Sequence, residues 1–194
     1  MTLPNQLTVF RVVLIPVFVL LLVYDQRLYA LIVFVLTGIS DGLDGYIARA
    51  WRQETPLGTI LDPIADKLLM VTTFVTLAVL QALPFSLTAV LIGRDVILSL
   101  MFGIVLFSTG RRIASPTFLG KAAVFAQMAT VVTGLVFYVF DDHPLFQTLG
   151  PFIVRPIFVL TAILAIVSGL HYLYRVIQLF YTVEGSIKRQ MPVR

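Results

Sequence analysis

Long apolar segments alternate with short polar connectors along the whole chain. The apolar segments lie at about 7–24, 28–49, 59–80, 84–107, 117–140 and 151–181. Each is close to the roughly 20 residues that an α-helix needs to cross the hydrocarbon core of a bilayer. The connectors are rich in Asp, Pro and Gly, which interrupt helices. The pattern predicts an all-α integral membrane protein with six transmembrane helices, organised as a single domain over residues 1–194.

The composition supports this prediction and excludes several classes of function. Of the 194 residues, 59% are hydrophobic and only 12% are charged, and the mean hydropathy is +0.98. A soluble domain of this length would expose far more polar surface. The chain has no cysteine, which excludes disulfide, thiolate and cysteine-ligated zinc chemistry. The net charge of +4 is typical of a protein beside a membrane, and we expect no nucleic-acid partner.

The basic residues are distributed unevenly between the two sides of the predicted membrane. With both termini on one side, the opposite side carries Arg27 and Arg155. Because cytoplasmic loops carry an excess of Lys and Arg, the distribution predicts cytoplasmic termini and cytoplasmic loops at 50–57 and 108–116. The cations on that side are Arg49, Arg52, Arg111, Arg112, Lys121, Arg175, Lys188, Arg189 and Arg194.

Four of the ten acidic residues lie in one stretch, "SDGLDGYIARAWRQETPLGTILDPIADKLL". Asp41 and Asp44 are three residues apart and Asp62 and Asp66 are four apart, so each pair shares one face of its helix. The Thr-Pro-Leu-Gly turn between the pairs reverses the chain, which lets the two faces meet on the cytoplasmic side of the bilayer. Unpaired carboxylates in that setting are costly, so the cluster predicts a bound divalent cation. One or two Mg²⁺ or Mn²⁺ ions suit such oxygen ligands.

A cluster of salt bridges is the alternative, with Arg49, Arg52 and Lys67 as partners of the acids. Three cations do not easily serve four acids confined to two helix faces, so the metal interpretation is preferred. Small residues beside the acids favour close helix packing, and they also leave room for a bulky ligand. Arg49 can donate a fork of hydrogen bonds to a phosphate. The cluster therefore predicts a pyrophosphate-containing ligand; its small residues are Gly42, Gly45, Ala48 and Gly58.

The order and spacing of these residues resemble a family signature. The pattern Asp41-x-x-Asp44-Gly45-x-x-Ala48-Arg49, eight residues, then Gly58-x-x-x-Asp62-x-x-x-Asp66 matches that of the CDP-alcohol phosphatidyltransferases at every defining position. The resemblance implies transfer of a phosphatidyl group from CDP-diacylglycerol to an alcohol, by direct displacement with release of CMP. It implies metal ligation by all four aspartates and general-base catalysis by Asp66. It also implies a nucleotide site formed by Asp41, Gly45, Ala48, Arg49 and Gly58.

The N-terminal segment "LPNQLTVFRVVLIP" resembles that of the glycerophosphate-using and cardiolipin-forming members of this family. Thr8 and Arg11 are therefore candidate donor-binding residues, although Thr8 can instead cap a helix and Arg11 can simply reach the interface. Glycerol 3-phosphate is the expected acceptor, and phosphatidylglycerol is the alternative. The candidate cations for the acceptor's phosphate are Lys121, Arg175, Arg94 and Arg111.

Two of these cations have alternative roles. Arg94 can form an intramembrane pair with Asp95, and Arg111 with its neighbour Arg112 can attract anionic lipid.

The resemblance further implies a homodimer in the bacterial plasma membrane, with the active site facing the cytoplasm. A divalent-cation carrier is the alternative from another class of function. Carriers usually place their acids near the midplane with inverted repeats, whereas these acids are shallow and no repeat is visible.

Overall fold

The structure, a computed structural model, describes residues 3–38, 56–109 and 117–190. Within these ranges the chain is helical, with no strand, as the hydrophobic pattern predicts. The helices are α1 (Leu3–Val23), α2 (Arg27–Gly38), α3 (Pro56–Val79), α4 (Phe85–Thr109), α5 (Phe118–Val139) and α6 (Pro144–Gln190).

Three helices contain segments long and apolar enough to cross a membrane: Phe85–Val105, Phe118–Val139 and Pro144–Gln178. Shorter apolar segments lie in α1, α2 and α3, at Val12–Val23, Arg27–Gly38 and Lys67–Val79 of the described chain. Large apolar side chains face outwards on the long segments; Phe125 is 78% exposed. Such a surface is unfavourable in water and is satisfied by lipid, so the chain is an integral membrane protein.

Two helices begin earlier than the sequence predicts. Helix α6 begins at Pro144 rather than at 151, and it continues through Gly150 and the following proline. Proline at a first helical position has no N–H that needs a partner, and within lipid a helix satisfies its backbone internally. A Cβ on Gly150 would lie 3.4 Å from Cδ1 of Phe137, an ordinary van der Waals contact, so the start of α6 packs beside α5. Helix α3 likewise begins at Pro56, where the sequence indicated a connector.

The contacts divide the chain into two units, residues 1–85 with 131–151, and residues 86–130 with 152–194. In the first unit α1 packs against α3. The buried rings of Phe18 and Phe34 join α1 to α2, with their centroids 5.7 Å apart. This apolar contact positions the helices that precede the acidic stretch.

Arg27 connects two turns of the first unit. Its Nε donates to Oδ1 of Asp25 at 2.6 Å, and its Nη1 donates to the carbonyl oxygen of Tyr138 at 3.1 Å. The guanidinium carbon also lies 4.4 Å from the centroid of the Tyr138 ring, a cation–π distance. The start of α2 is therefore fixed to the end of α5.

The second unit contains a polar cluster among apolar helices. Arg94 donates from Nη1 to Oδ1 of Asp95 at 2.6 Å, and from Nε to Oγ of Ser168 at 3.3 Å. Gln127 donates to the other carboxylate oxygen, Oδ2 of Asp95, at 3.3 Å. The Arg94 side chain is only 8% exposed. This Arg94–Asp95 network (Arg94, Asp95, Gln127 and Ser168) joins α4 to α5 and α6.

The Asp95→Ala substitution is expected to lower the free energy of unfolding by about 3–5 kcal/mol, because it leaves the Arg94 guanidinium buried without its counter-ion. Replacing both partners by apolar residues, as Arg94→Met with Asp95→Leu, should cost less. Asp141→Ala, at an exposed position, is the matched control and should change stability little. The measurement is reversible unfolding of the purified protein in mixed micelles. Equal stabilities of the Asp95→Ala and Asp141→Ala variants would contradict the network's structural role.

Candidate active site

Two of the four aspartates lie on α3. Asp62 and Asp66 are one turn apart in a helix that is continuous from Pro56 to Val79, as their spacing predicts. Their helical positions fall on the same face as those of Leu69 and Thr73, which are both buried. The register of α3 therefore aligns positions 62 and 66 with two buried positions of the same helix.

Lys67, Leu68 and Val75 of α3 are exposed, whereas Phe74 and Ala78 are buried, so the helix is buried on more than one side. The side chains of Asp62 and Asp66 themselves lie outside the described part of the structure. Asp41, Asp44, Gly45, Ala48 and Arg49 lie outside the described residues altogether, so the meeting of the two acidic pairs stays a prediction.

The candidate donor-binding residues on α1 and α3 have helical backbones. Helix α1 begins at Leu3, so Thr8 lies inside the helix and is not its N-cap. Thr8 and Arg11 are three residues apart and share one face of α1, although their side chains are not described. Gly58 lies in the first turn of α3 rather than in the predicted connector. Their contacts with a donor stay predictions.

The candidate acceptor cations differ in environment. Arg94 is buried and paired with Asp95, which is one of the two roles that the sequence left open. Lys121 and Arg175 are exposed, in the first turn of α5 and on α6. Arg111 lies outside the described residues. Of the described candidates, Lys121 and Arg175 are therefore better placed than Arg94 to meet an anion.

A cavity of about 520 Å³ lies beside Lys121 in the second unit. Arg94 and Tyr172 contribute to its wall, but most of the lining is apolar. The lining residues are Arg94, Leu98, Gly120, Lys121, Val124, Phe125, Met128 and Tyr172. Such a cavity can hold a hydrocarbon chain with a phosphate near the ammonium group.

Sequence reasoning did not single out Tyr172 or Thr117. Thr117 Oγ1 accepts a hydrogen bond from the N–H of Gly120 at 3.1 Å and so caps α5. The Thr117 N–H in turn lies 3.3 Å from the Tyr172 hydroxyl oxygen. The "PTFLGK" segment does contain a capping threonine, but nothing in the sequence indicates which α6 side chain reaches it.

The donor set of the acidic stretch fits a hard divalent cation. Carboxylate oxygens are the preferred protein ligands of Mg²⁺ and Mn²⁺, and the chain lacks the thiolates that select softer metals. The register of α3 places Asp62 and Asp66 on one face, as shared ligation requires. Among the described side chains there is no group of three or more acidic, His or Cys residues that could hold a metal ion, and the side chains of all four aspartates lie outside them.

Comparison with known proteins gives an independent result for nearly the whole chain. The model of the CDP-alcohol phosphatidyltransferase family matches residues 1–174. A cardiolipin synthase (CMP-forming) from Streptomyces coelicolor is 40% identical over 138 residues, covering 66% of this chain and 62% of that protein. The human cardiolipin synthase (CMP-forming) is 36% identical over 156 residues, covering 72% of this chain and 52% of that protein.

A third relative carries a different name. The CDP-diacylglycerol–glycerol-3-phosphate 3-phosphatidyltransferase of Pseudomonas fluorescens is 43% identical over 107 residues, covering 51% of this chain and 53% of that protein. In all three cases the match spans less than two thirds of the relative's own length. The family match nevertheless includes the whole acidic stretch and five of the six helices in full. The chain belongs to the CDP-alcohol phosphatidyltransferase family.

Proposed function

We propose that this protein transfers a phosphatidyl group from CDP-diacylglycerol to the hydroxyl group of a glycerol-based acceptor and releases CMP. The observation that carries the proposal is the complete Asp41-to-Asp66 pattern inside a family match over residues 1–174. The placement of Asp62 and Asp66 on one face of α3 supports it. The names of the relatives are consistent with the same donor.

Members of this family generally depend on a divalent cation. In this chain Asp41, Asp44, Asp62 and Asp66 would hold one or two Mg²⁺ or Mn²⁺ ions. Such ions neutralise negative charge on a pyrophosphate and on a departing CMP. The nucleotide and donor would be bound by Asp41, Gly45, Ala48, Arg49, Gly58, Thr8 and Arg11.

Asp66 is the general base in this proposal. Its carboxylate accepts the proton of the acceptor hydroxyl, and the freed oxygen forms a bond to the phosphorus that carries the diacylglycerol. The bond from that phosphorus to the bridging oxygen breaks, and CMP leaves with the electron pair. A single displacement of this kind needs no serine or histidine nucleophile.

Glycerol 3-phosphate is the first acceptor that we propose; the N-terminal segment, which resembles both the glycerophosphate-using and the cardiolipin-forming members, is consistent with it. One structural observation favours phosphatidylglycerol as the second candidate: the cavity beside Lys121 is largely apolar, and only this acceptor carries acyl chains. Lys121 and Arg175 are the proposed phosphate ligands, since both are exposed. Arg94 and Arg111 are secondary candidates.

We also infer that all six helices cross the membrane, with cytoplasmic termini and the active site on the cytoplasmic side. The excess of basic residues in the predicted cytoplasmic loops supports this orientation. A bacterial plasma membrane and a homodimer complete the proposal. Cysteines introduced at positions 25 and 189 and labelled from one side of intact spheroplasts would test the orientation.

Acceptor identity is tested by incubating the purified protein with CDP-diacylglycerol, Mg²⁺ or Mn²⁺, and each acceptor in turn. CMP release should depend on the donor and on one of the two acceptors, with the lipid product identified by mass spectrometry. Phosphatidylglycerophosphate would identify glycerol 3-phosphate as the acceptor, and cardiolipin would identify phosphatidylglycerol. A divalent-cation carrier would release no CMP with either acceptor.

The Asp66→Asn variant is expected to lower kcat by about 10²- to 10⁴-fold, because an amide cannot accept the hydroxyl proton. Asp141→Asn, an exposed acid elsewhere in the chain, serves as the control and should retain activity. Thermal unfolding of both variants verifies that they fold. An Asp66→Asn variant with wild-type kcat would exclude this residue as the base.

Removal of divalent cations with a chelator should abolish CMP release, and added Mg²⁺ or Mn²⁺ should restore it. The expected cause is repulsion between the acidic stretch and the donor's pyrophosphate once the positive charge is lost. Turnover that continues unchanged in excess chelator would contradict the proposed metal site.

Lys121→Ala should raise the acceptor KM by about tenfold or more, because a charge-assisted hydrogen bond to phosphate is lost. The KM for CDP-diacylglycerol and the metal dependence should stay within about twofold of wild type, since the cation contacts only the acceptor. Arg155→Ala removes an exposed cation from the same protein and is the control. Equal losses in donor, metal and acceptor affinities would refute this assignment.

A further inference from the structure

The first turn of α5 is held by a side chain from α6. The Tyr172 hydroxyl oxygen lies 3.3 Å from the N–H of Thr117, the residue that caps α5. The ring of the same tyrosine lies against the backbone of Gly120. Thr117 and Gly120 are themselves buried, so this contact is shielded from solvent.

The contact explains why position 120 is glycine. A Cβ there would lie 3.0 Å from both Cε2 and the hydroxyl oxygen of Tyr172, and 3.3 Å from Oγ1 of Thr117. A Cβ there would therefore require the tyrosine ring to shift by a few tenths of an ångström. The glycines of α4 differ, because a Cβ on Gly93 or Gly103 would meet nothing within 4 Å. Gly120 is needed for close approach, whereas Gly93 and Gly103 are not.

The same face of α6 also holds the Arg94–Asp95 network. Ser168 and Tyr172 are four residues apart, so they lie on adjacent turns of one face. Ser168 accepts a hydrogen bond from Arg94, and Tyr172 contacts the residue immediately before Lys121. Arg94, Gly120, Lys121 and Tyr172 all line the 520 Å³ cavity.

We propose that Tyr172 is a positioning residue for Lys121 and that its contact with Gly120 determines the affinity for the acceptor. The proposal rests on the proposed function, in which Lys121 binds the acceptor's phosphate. A lysine ammonium lies at the end of a flexible four-carbon stem, so its reach is limited mainly by where its backbone is fixed. Tyr172 fixes that backbone because it contacts both Thr117, the N-cap of α5, and Gly120 in the first turn.

The kinetic test uses the full chain in lipid nanodiscs with Mg²⁺ and CDP-diacylglycerol, and measures CMP release. Tyr172→Phe should raise the acceptor KM about threefold to tenfold, the usual effect of losing one neutral hydrogen bond. The kcat and the KM for CDP-diacylglycerol should stay within about twofold, because the donor does not depend on this cation. Tyr174→Phe, at an exposed position on the same helix, should match wild type. A Tyr172→Phe variant with an unchanged acceptor KM, or with equal changes in both KM values, overturns the proposal.

A double-mutant cycle tests the glycine contact. Gly120→Ala should raise the acceptor KM in the wild-type background, while Gly103→Ala in α4 should not. In the Tyr172→Ala background, Gly120→Ala should have no further effect, since the ring that it displaces is gone. Additive effects of the two substitutions would overturn the proposed coupling.

A readout without turnover separates this proposal from the proposed function. The chain has no cysteine, so Lys121→Cys introduces a single thiol. Adding Tyr172→Phe should change its rate of maleimide labelling by about threefold or more, whereas adding Tyr174→Phe should not. If wild type releases no CMP with either acceptor, the proposed function fails while the labelling still tests the positioning. Unchanged labelling overturns the positioning even when the enzyme turns over.

Discussion

The free energy needed to bury a charged side chain among apolar helices limits where this protein can place polar chemistry. A membrane helix accepts such a group only when a partner neutralises it or when it reaches the interface. Arg94 meets the first condition, since Asp95 neutralises it and Ser168 accepts a second hydrogen bond from it, while Gln127 donates to Asp95. Lys121 meets the second condition, because it lies exposed in the first turn of α5. The two cations share a cavity wall but have different roles.

This difference explains how one cavity can contain both a fixed and an available charge. The Arg94 guanidinium already takes part in interactions that join α4, α5 and α6, so an incoming phosphate would have to compete with the half-buried carboxylate of Asp95. No ion pair of Lys121 is present among the described side chains, and Lys121 is one of the residues that line the cavity. The network therefore supports the wall of the cavity, and Lys121 is the group that can respond to a ligand.

The sequence predicts the helices well because their main determinant, apolar length, is local. It predicts helix ends less well: Gly150 and Pro151 indicate a break, yet α6 continues through them, which a membrane helix tolerates when neighbouring groups satisfy the carbonyl that the proline leaves without a donor. The acidic spacing on α3 also follows from the sequence, since a shared helix face depends only on periodicity. The Tyr172–Gly120 contact does not follow, because it depends on how closely α5 and α6 approach. The roles of Arg94 could not be separated until its distance to Asp95 was known.

The proposed chemistry also constrains where acceptor specificity can reside. Transfer to glycerol 3-phosphate and transfer to phosphatidylglycerol break the same bond in the same donor, so the aspartates cannot distinguish the two reactions. Both acceptors carry a phosphate, a largely dianionic monoester in glycerol 3-phosphate and a monoanionic diester in phosphatidylglycerol, so Lys121 can attract either one. They differ in the acyl chains that only phosphatidylglycerol possesses, and these would meet apolar residues such as Val124, Phe125 and Met128. In the proposed reaction, discrimination would therefore depend on the apolar wall and on where the proposed contact of Tyr172 with the first turn of α5 places Lys121.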